Sequence, residues 1–350
     1  MKITDISTHP LGNYVLVEVF TDEGVIGIGA VDSHYPMVKS VIDPAGEHGL
    51  LAKLLIGEDP REVERLWAKM EQSTFWYGRG GGITHAMSGI DIALWDILGK
   101  STGLPVAALL GGCRRRLVKP YASITANNID ALQKKVQRAI ELGFKAIKIG
   151  WGALGVDFEQ TIKWVKTARE IAGPDVDIMV DFGCSGSGRA ISVSAARKVI
   201  RAIAEYQLSW IEEPLTPDDI NGFAELRQSV DVPISGGEVF VNLRDFKLLF
   251  EKRAVDIVQP DVCKAGGLTE LKRIAFFANL ENIFCVPHSW STAICIAASI
   301  HLVASIPNGK YVEFQIENPL NTDLLVEPFE IKDGYIEAPT KPGLGIELSA

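Results

Sequence analysis

The sequence predicts an α/β protein, a parallel barrel of the TIM type with a smaller α+β segment attached to it. Two observations predict this. Between about residues 116 and 320, short apolar runs recur roughly every thirty residues, each followed by an amphipathic stretch, which is the length of one strand plus its crossover helix. Before about residue 115 the rhythm is different, with β-rich runs first and helical spacing after. Eight repeats favour a closed barrel over an open sheet.

Taken in order, Tyr14 to Phe20 (YVLVEVF) is β-rich, TDEG is a turn and VIGIGA a further strand. From about Pro60 the pattern becomes helical. Ile90, Ala93, Leu94, Ile97 and Leu98 fall on one helix face, and Gly103 and Pro105 end that helix. The repeating runs are VKPYASI (118–124), KAIKIG (145–150), DIMVD (177–181), SWIEEP (209–214), VPISGGE (232–238), VDIVQPD (255–261), IFCVPH (283–288) and YVEFQ (311–315). From Asn321 the chain holds DGY and PTKPGLG, turns and short strands that return to the first segment. The division expected is therefore 1–115 as a capping domain, 116–320 as the barrel and 321–350 as a returning tail.

With 350 residues, 47% hydrophobic and 23% charged, the chain can bury a sizeable core. A net charge of −9 with no basic run speaks against nucleic acid and against an anionic membrane surface as partners. An anionic substrate stays possible, because a bound divalent cation reverses the local sign. The five cysteines form no CxxC pair and are expected to be free thiols. No stretch reads as a signal peptide or a membrane span, so a cytoplasmic location is expected.

The residues that end the runs carry the chemistry. Asp181 ends the third, Glu212 and Glu213 the fourth, Glu238 the fifth, Asp261 the sixth and His288 the seventh, and Glu313 lies in the eighth. In a parallel barrel these ends converge on one mouth. A single acidic residue at a strand end is usually a helix cap. Three on successive strands would repel one another without a cation, and clustered hard oxygens suit Mg²⁺ or Mn²⁺.

The runs MVD, WIEEP, GGE, QPD-x-x-K-x-GG and VPHS, together with GIDIALWDILGK, GLPVAALLGG and VEVFTDEGVIGIGA, resemble the enolase superfamily and its mandelate racemase-like subgroup over nearly the whole chain. The resemblance implies a modified (β/α)7β barrel under a capping domain. It implies Asp181, Glu212 and Glu238 as ligands of Mg²⁺ (with Mn²⁺ as a substitute), and Glu213 as a structural neighbour. Asp261 and His288 would form a general-base dyad. Lys148 would neutralise the substrate carboxylate, and Glu313 would donate a hydrogen bond to it once enolised, unless it is only a salt-bridged strand residue. Asp261 stands where the muconate-lactonising and succinylbenzoate-synthase relatives carry a catalytic lysine. Lys264 is common to both patterns and reads as structural.

Two departures from the racemase pattern bear on the reaction. Gly150 replaces the lysine that would serve as a base on the opposite face of the substrate, and Gly183 replaces an asparagine. A site with one histidine favours β-elimination, since His288 can take the α-proton and return it to the departing hydroxide. The expected activity is dehydration of a sugar acid, a small-molecule carboxylate. An isomerase of the same superfamily is the second reading, and a non-catalytic binding protein the third. For substrate binding, Arg79 and Tyr77 in Phe75-Trp76-Tyr77-Gly78-Arg79-Gly80-Gly81-Gly82 are lid candidates, unless the stretch is simply a turn before a helix. His34 and Tyr35 are further candidates. The loop THPLGN is short, which suggests an open site or one completed by a neighbouring subunit of a homo-oligomer.

Overall fold

The computed structural model describes residues 1–43, 50–187 and 189–349. An antiparallel sheet opens the chain, with β1 (Ile3–Leu11), β2 (Tyr14–Thr21) and β3 (Ile26–Val31) in that order. The helix Gly82–Thr102 packs on this sheet at very short range. A Cβ on Gly29 would stand 1.9 Å from the Gly89 carbonyl oxygen, and one on Gly27 2.2 Å from that of Ala93. Glycine at both positions, and again at Gly89 against Val17 and Val31, lets backbone meet backbone. The helix stops at Gly103, whose φ of 69° suits a residue without a Cβ.

Eight parallel strands follow: β4 (Leu117–Thr125), β5 (Ala146–Gly150), β6 (Asp177–Asp181), β7 (Leu208–Glu212), β8 (Ile234–Gly236), β9 (Ile257–Val258), β10 (Phe284–Cys285) and β11 (Tyr311–Gln315). Their order is β10-β9-β8-β7-β6-β5-β4-β11, and a bridge between Cys285 and Gly309 joins the two ends. Seven helices of ten or more residues connect consecutive strands, and after β11 only the four-residue helix Pro319–Thr322 occurs. This is the (β/α)7β arrangement. Six of the seven helices begin at a polar residue whose side chain accepts a backbone N–H: Asn128, Asp157, Ser192, Asp219, Asn242 and Thr292. These caps fix where each strand hands over to its helix.

The tail contacts both parts. Ile336–Glu337, strand β12, pairs antiparallel with Val118 and Leu117 at the start of β4. Further on, Leu344 donates its N–H to Asp96 at 2.9 Å, and Asp96 also accepts from Ile28 of β3 at 3.0 Å. The carbonyl of Leu344 lies 3.0 Å from Nε2 of His301, whose pKa burial pulls down to about 4. All five cysteines are free. Among the described residues no helix is long and apolar enough to cross a membrane.

Candidate active site at the barrel mouth

The pleat of the barrel strands builds the site. Alternate residues face inward, and Tyr121, Ala146, Met179, Trp210, Ile257, Val286 and Tyr311 form one buried cluster inside the barrel. Tyr121, Trp210 and Tyr311 meet edge to face, with centroids 5.4–6.4 Å apart. Two residues further along the chain come Ser123, Lys148, Asp181, Glu212, Gln259, His288 and Glu313. A polar layer therefore stands directly on an aromatic floor.

Three of the expected strand ends lie beyond their strands. The ladders of β8, β9 and β10 stop at Gly236, Val258 and Cys285, so Glu238, Asp261 and His288 sit on the loops that follow. The reason is local. Gly237 turns away with φ 114°, and Pro260 and Pro287 have no N–H to continue the ladder. A single bridge still pairs Asp261 with His288, through His288 N–H to the Pro260 carbonyl at 3.2 Å.

The side chains then meet. Nδ1 of His288 lies 2.6 Å from Oδ2 of Asp261, whose other oxygen accepts the Cys263 N–H at 2.7 Å. Nε2 of His288 faces Glu238 at 3.7 Å and Glu313 at 3.8 Å. Burial pulls the His288 pKa down, but Glu313, Glu238 and the bond to Asp261 outweigh it and hold it at about 10. Lys148 is buried with its Nζ against Oε1 of Glu212 and 2.8 Å from Oε1 of Glu313. Burial opposes its charge, yet those carboxylates keep its pKa well above that of a free lysine. Burial raises Glu313, whereas Lys148 and His288 lower it further, to about 2. Glu313 is thus ionised, and it accepts from Ser289 N–H at 2.9 Å.

Glu212 is fixed from below: Trp210 Nε1 at 3.0 Å and Gln259 Nε2 at 2.6 Å both donate to its Oε2. Gly183 N–H donates to Asp181 at 2.7 Å, and Ser185 Oγ donates to Glu238. Burial, and then neighbouring carboxylates, raise Asp181; burial also raises Glu212. Glu213 turns away with φ 43° and accepts the Gly237 N–H at 2.7 Å, consistent with a structural role. Among the described residues only the buried trio Asp261, Cys263 and Cys295 gathers three potential ligand atoms within 4.8 Å of one another. Asp181, Glu212 and Glu238 stand wider. Like charges in a dry pocket hold apart, and Lys148 occupies one Glu212 oxygen.

A cavity of about 400 Å³ opens above this layer, lined by Lys148, Asp181, Glu238 and His288 below and by Tyr14 and Asp32 from the first sheet. Thr125, Trp151, Gly186, Val239, Lys264 and Trp290 complete the wall. Glu212, Asp261 and Glu313 sit behind it. The lid candidates lie elsewhere. His34 precedes the helix Tyr35–Ile42, Tyr77 is 69% exposed, and exposed Arg79 stacks on Phe75 with its carbonyl taken by Asn242. None of the three lines the cavity. Sequence reasoning passed over Trp151, Trp290, Tyr14 and Asp32 as wall residues. Trp290 and Trp151 carry a signal, two places past His288 and one past the end of β5; Tyr14 and Asp32 depend on how the cap docks.

The chain matches the family "Mandelate racemase / muconate lactonizing enzyme, N-terminal domain" over residues 2–111 and "Enolase C-terminal domain-like" over residues 131–350. It is 32% identical to a D-galactarolactone cycloisomerase of Agrobacterium fabrum, over 100% of this chain and 97% of that one. With an arabinonate dehydratase of Saccharolobus solfataricus it shares 30% identity over 99% of this chain and 91% of the other. The crystal structure of a 3,6-anhydro-D-galactonate cycloisomerase from Zobellia galactanivorans superimposes with a TM-score of 0.89 at 35% identity, covering 100% of this chain and 97% of that one.

Proposed function

Because this chain belongs to the mandelate racemase-like branch of the enolase superfamily, we propose that it is a divalent-cation-dependent lyase that removes the α-proton of a sugar acid and expels the β-hydroxyl as water. Mg²⁺ is the cation proposed, with Asp181, Glu212 and Glu238 as its ligands. Charge supports this choice. Five carboxyl groups, Asp181, Glu212, Glu238, Asp261 and Glu313, meet at one mouth beside a single buried lysine and one histidine. The donors are all oxygen, as a hard dication prefers. When bound, such a cation supplies positive charge where the substrate carboxylate becomes an enediolate, and it offsets the carboxylate field on His288.

The observation that carries the reading is the His288–Asp261 pair at the cavity wall. With Nδ1 held by Asp261, neutral His288 presents a bare Nε2. Nε2 takes the proton from the α-carbon, and the C–H electron pair moves into the carboxylate. The β-carbon–oxygen bond then breaks and the same proton leaves with the oxygen as water, giving an enol that becomes a 2-keto acid. Lys148 holds the carboxylate end. Gly150 leaves the opposite face without a base: a Cβ there would already stand 3.3 Å from Oδ2 of Asp181, so a longer side chain crowds that carboxylate.

The similar cycloisomerases favour a second reading. If the departing oxygen is tethered in a ring, the same two bond changes open the ring and no water is lost. Both readings are tested by incubating aldonates and their ring forms with enzyme stripped by EDTA and reloaded with Mg²⁺. Loss of one water from an open-chain acid supports dehydration, and a product of unchanged mass supports ring opening. Turnover in EDTA equal to that with Mg²⁺ would contradict the cation's role.

A further inference from the structure

We infer that the substrate is a monocarboxylic acid whose far end is uncharged, so that aldonates and their ring forms fit this cavity and sugar diacids do not. The inference rests on the reading of the cavity as an acid-binding site and narrows it.

The described wall of the cavity carries two lysines and no arginine. Lys148 lies between Glu212 and Glu313. Lys264 Nζ is 2.9 Å from Oδ2 of Asp32. Arg189, on the loop beyond β6, donates to the Gly152 carbonyl at 2.9 Å. The residues outside the described set, 44–49, 188 and 350, include neither lysine nor arginine. A substrate that places one carboxylate at Lys148 therefore finds only one other lysine or arginine among the described residues of the wall, Lys264, and Asp32 already holds it. Asp32 is itself a cap carboxylate facing the same space.

Above the polar layer the rest of the described wall is apolar or neutral. In an eight-stranded ring β5 stands opposite β9, so Trp151, which follows β5, faces Lys264 and Asp32 across the mouth. Trp151 holds φ 69°, a conformation that a tryptophan adopts at a cost. Its indole lies on Gly183 and Gly186, where a Cβ on Gly186 would approach Cη2 to 2.4 Å. The two glycines seat the ring flat at the wall. Trp290 and Val239 adjoin, and Tyr14 spends its hydroxyl proton on the Trp290 carbonyl at 2.9 Å. An indole face suits the C–H side of a sugar chain or ring, and Asp32 accepts from hydroxyls. A second carboxylate would lose its water shell and meet a like charge.

The test compares 2,5-dihydroxypentanoate with 2-hydroxyglutarate. They share length and the α-hydroxyl, differ only at the far end, and lack a β-hydroxyl, so neither eliminates water. Binding to the full-length Mg²⁺-loaded protein is measured by calorimetry. The monoacid should bind at least about tenfold more tightly. In Asp32→Asn, which releases Lys264 and removes the like charge, the preference should shrink at least about threefold. Equal or tighter binding of the diacid by the wild type overturns the inference, as does an unchanged preference in Asp32→Asn. If neither acid binds, the acid-binding reading falls and takes this inference with it.

Discussion

Replacing Lys148 by methionine keeps the length of the side chain and removes the charge shared by Glu212 and Glu313. In the native fold Lys148 is the strongest influence holding Glu313 at about 2 instead of its ordinary 4.5. That displacement corresponds to about 3 kcal/mol at about 1.4 kcal/mol per pH unit. The figure agrees with the roughly 3–5 kcal/mol lost when one partner of a buried ion pair is removed. Glu313 is fully buried, so solvent screening takes little from it. The sign with pH follows. In the wild type this contribution is complete above pH 4.5 and is lost as pH falls towards 2. In Lys148→Met burial is no longer opposed by the lysine, so Glu313 and Glu212 titrate higher in the fold than unfolded. Stability of the variant is then greatest at low pH and falls as pH rises. Urea unfolding in EDTA at pH 5 and pH 8, followed by circular dichroism, measures both effects. We expect a deficit of about 3 kcal/mol at pH 5 and a larger one at pH 8. A deficit under about 1 kcal/mol at pH 8, or an equal deficit at both values, would refute the electrostatic account of this lysine.

Two further outcomes follow from the same geometry. Gly150→Ala places a Cβ 3.2 Å from Cβ of Asp181 and should weaken Mn²⁺ binding by about tenfold, read by electron paramagnetic resonance; unchanged affinity would mean that Asp181 yields freely or is no ligand. Asp261→Asn removes the charge 2.6 Å from His288 and should lower kcat by about 10²–10⁴-fold, while the rate limb belonging to His288 moves to lower pH because imidazolium loses support. An unshifted limb would place that titration on another group.

Most of the fold could be read from the chain, because each strand run is short, apolar and followed by a capped helix. The inward layer was also within reach. Glu212 stands two residues past Trp210, and His288 two past Val286, so strand periodicity alone places each functional residue over a core residue. What stayed hidden came from contacts that periodicity does not encode. Lys148 meets Glu313 although their strands stand six apart in sequence order, because closure of the barrel leaves only β4 between β5 and β11. Asp32 and Tyr14 join the wall only through the docking of the first sheet, for which the chain offers no local sign. Tyr77 and Arg79 looked like a lid by composition, yet the Asn242 bond to the Arg79 carbonyl holds their backbone on the loop after β8, outside the cavity wall.

The central claim is that His288 alone moves the α-proton. It is tested most directly by hydrogen exchange at the α-carbon in D₂O, comparing wild type and His288→Asn, both loaded with Mg²⁺ and incubated with an aldonate that the wild type turns over. Asparagine roughly fills the histidine's space and cannot take a proton near neutral pH. Circular dichroism and Mn²⁺ binding show whether fold and cation site survive. The account predicts that the variant keeps both, eliminates no water and incorporates no deuterium at the α-carbon. Exchange at the wild-type rate in His288→Asn would reveal a second base and contradict the account.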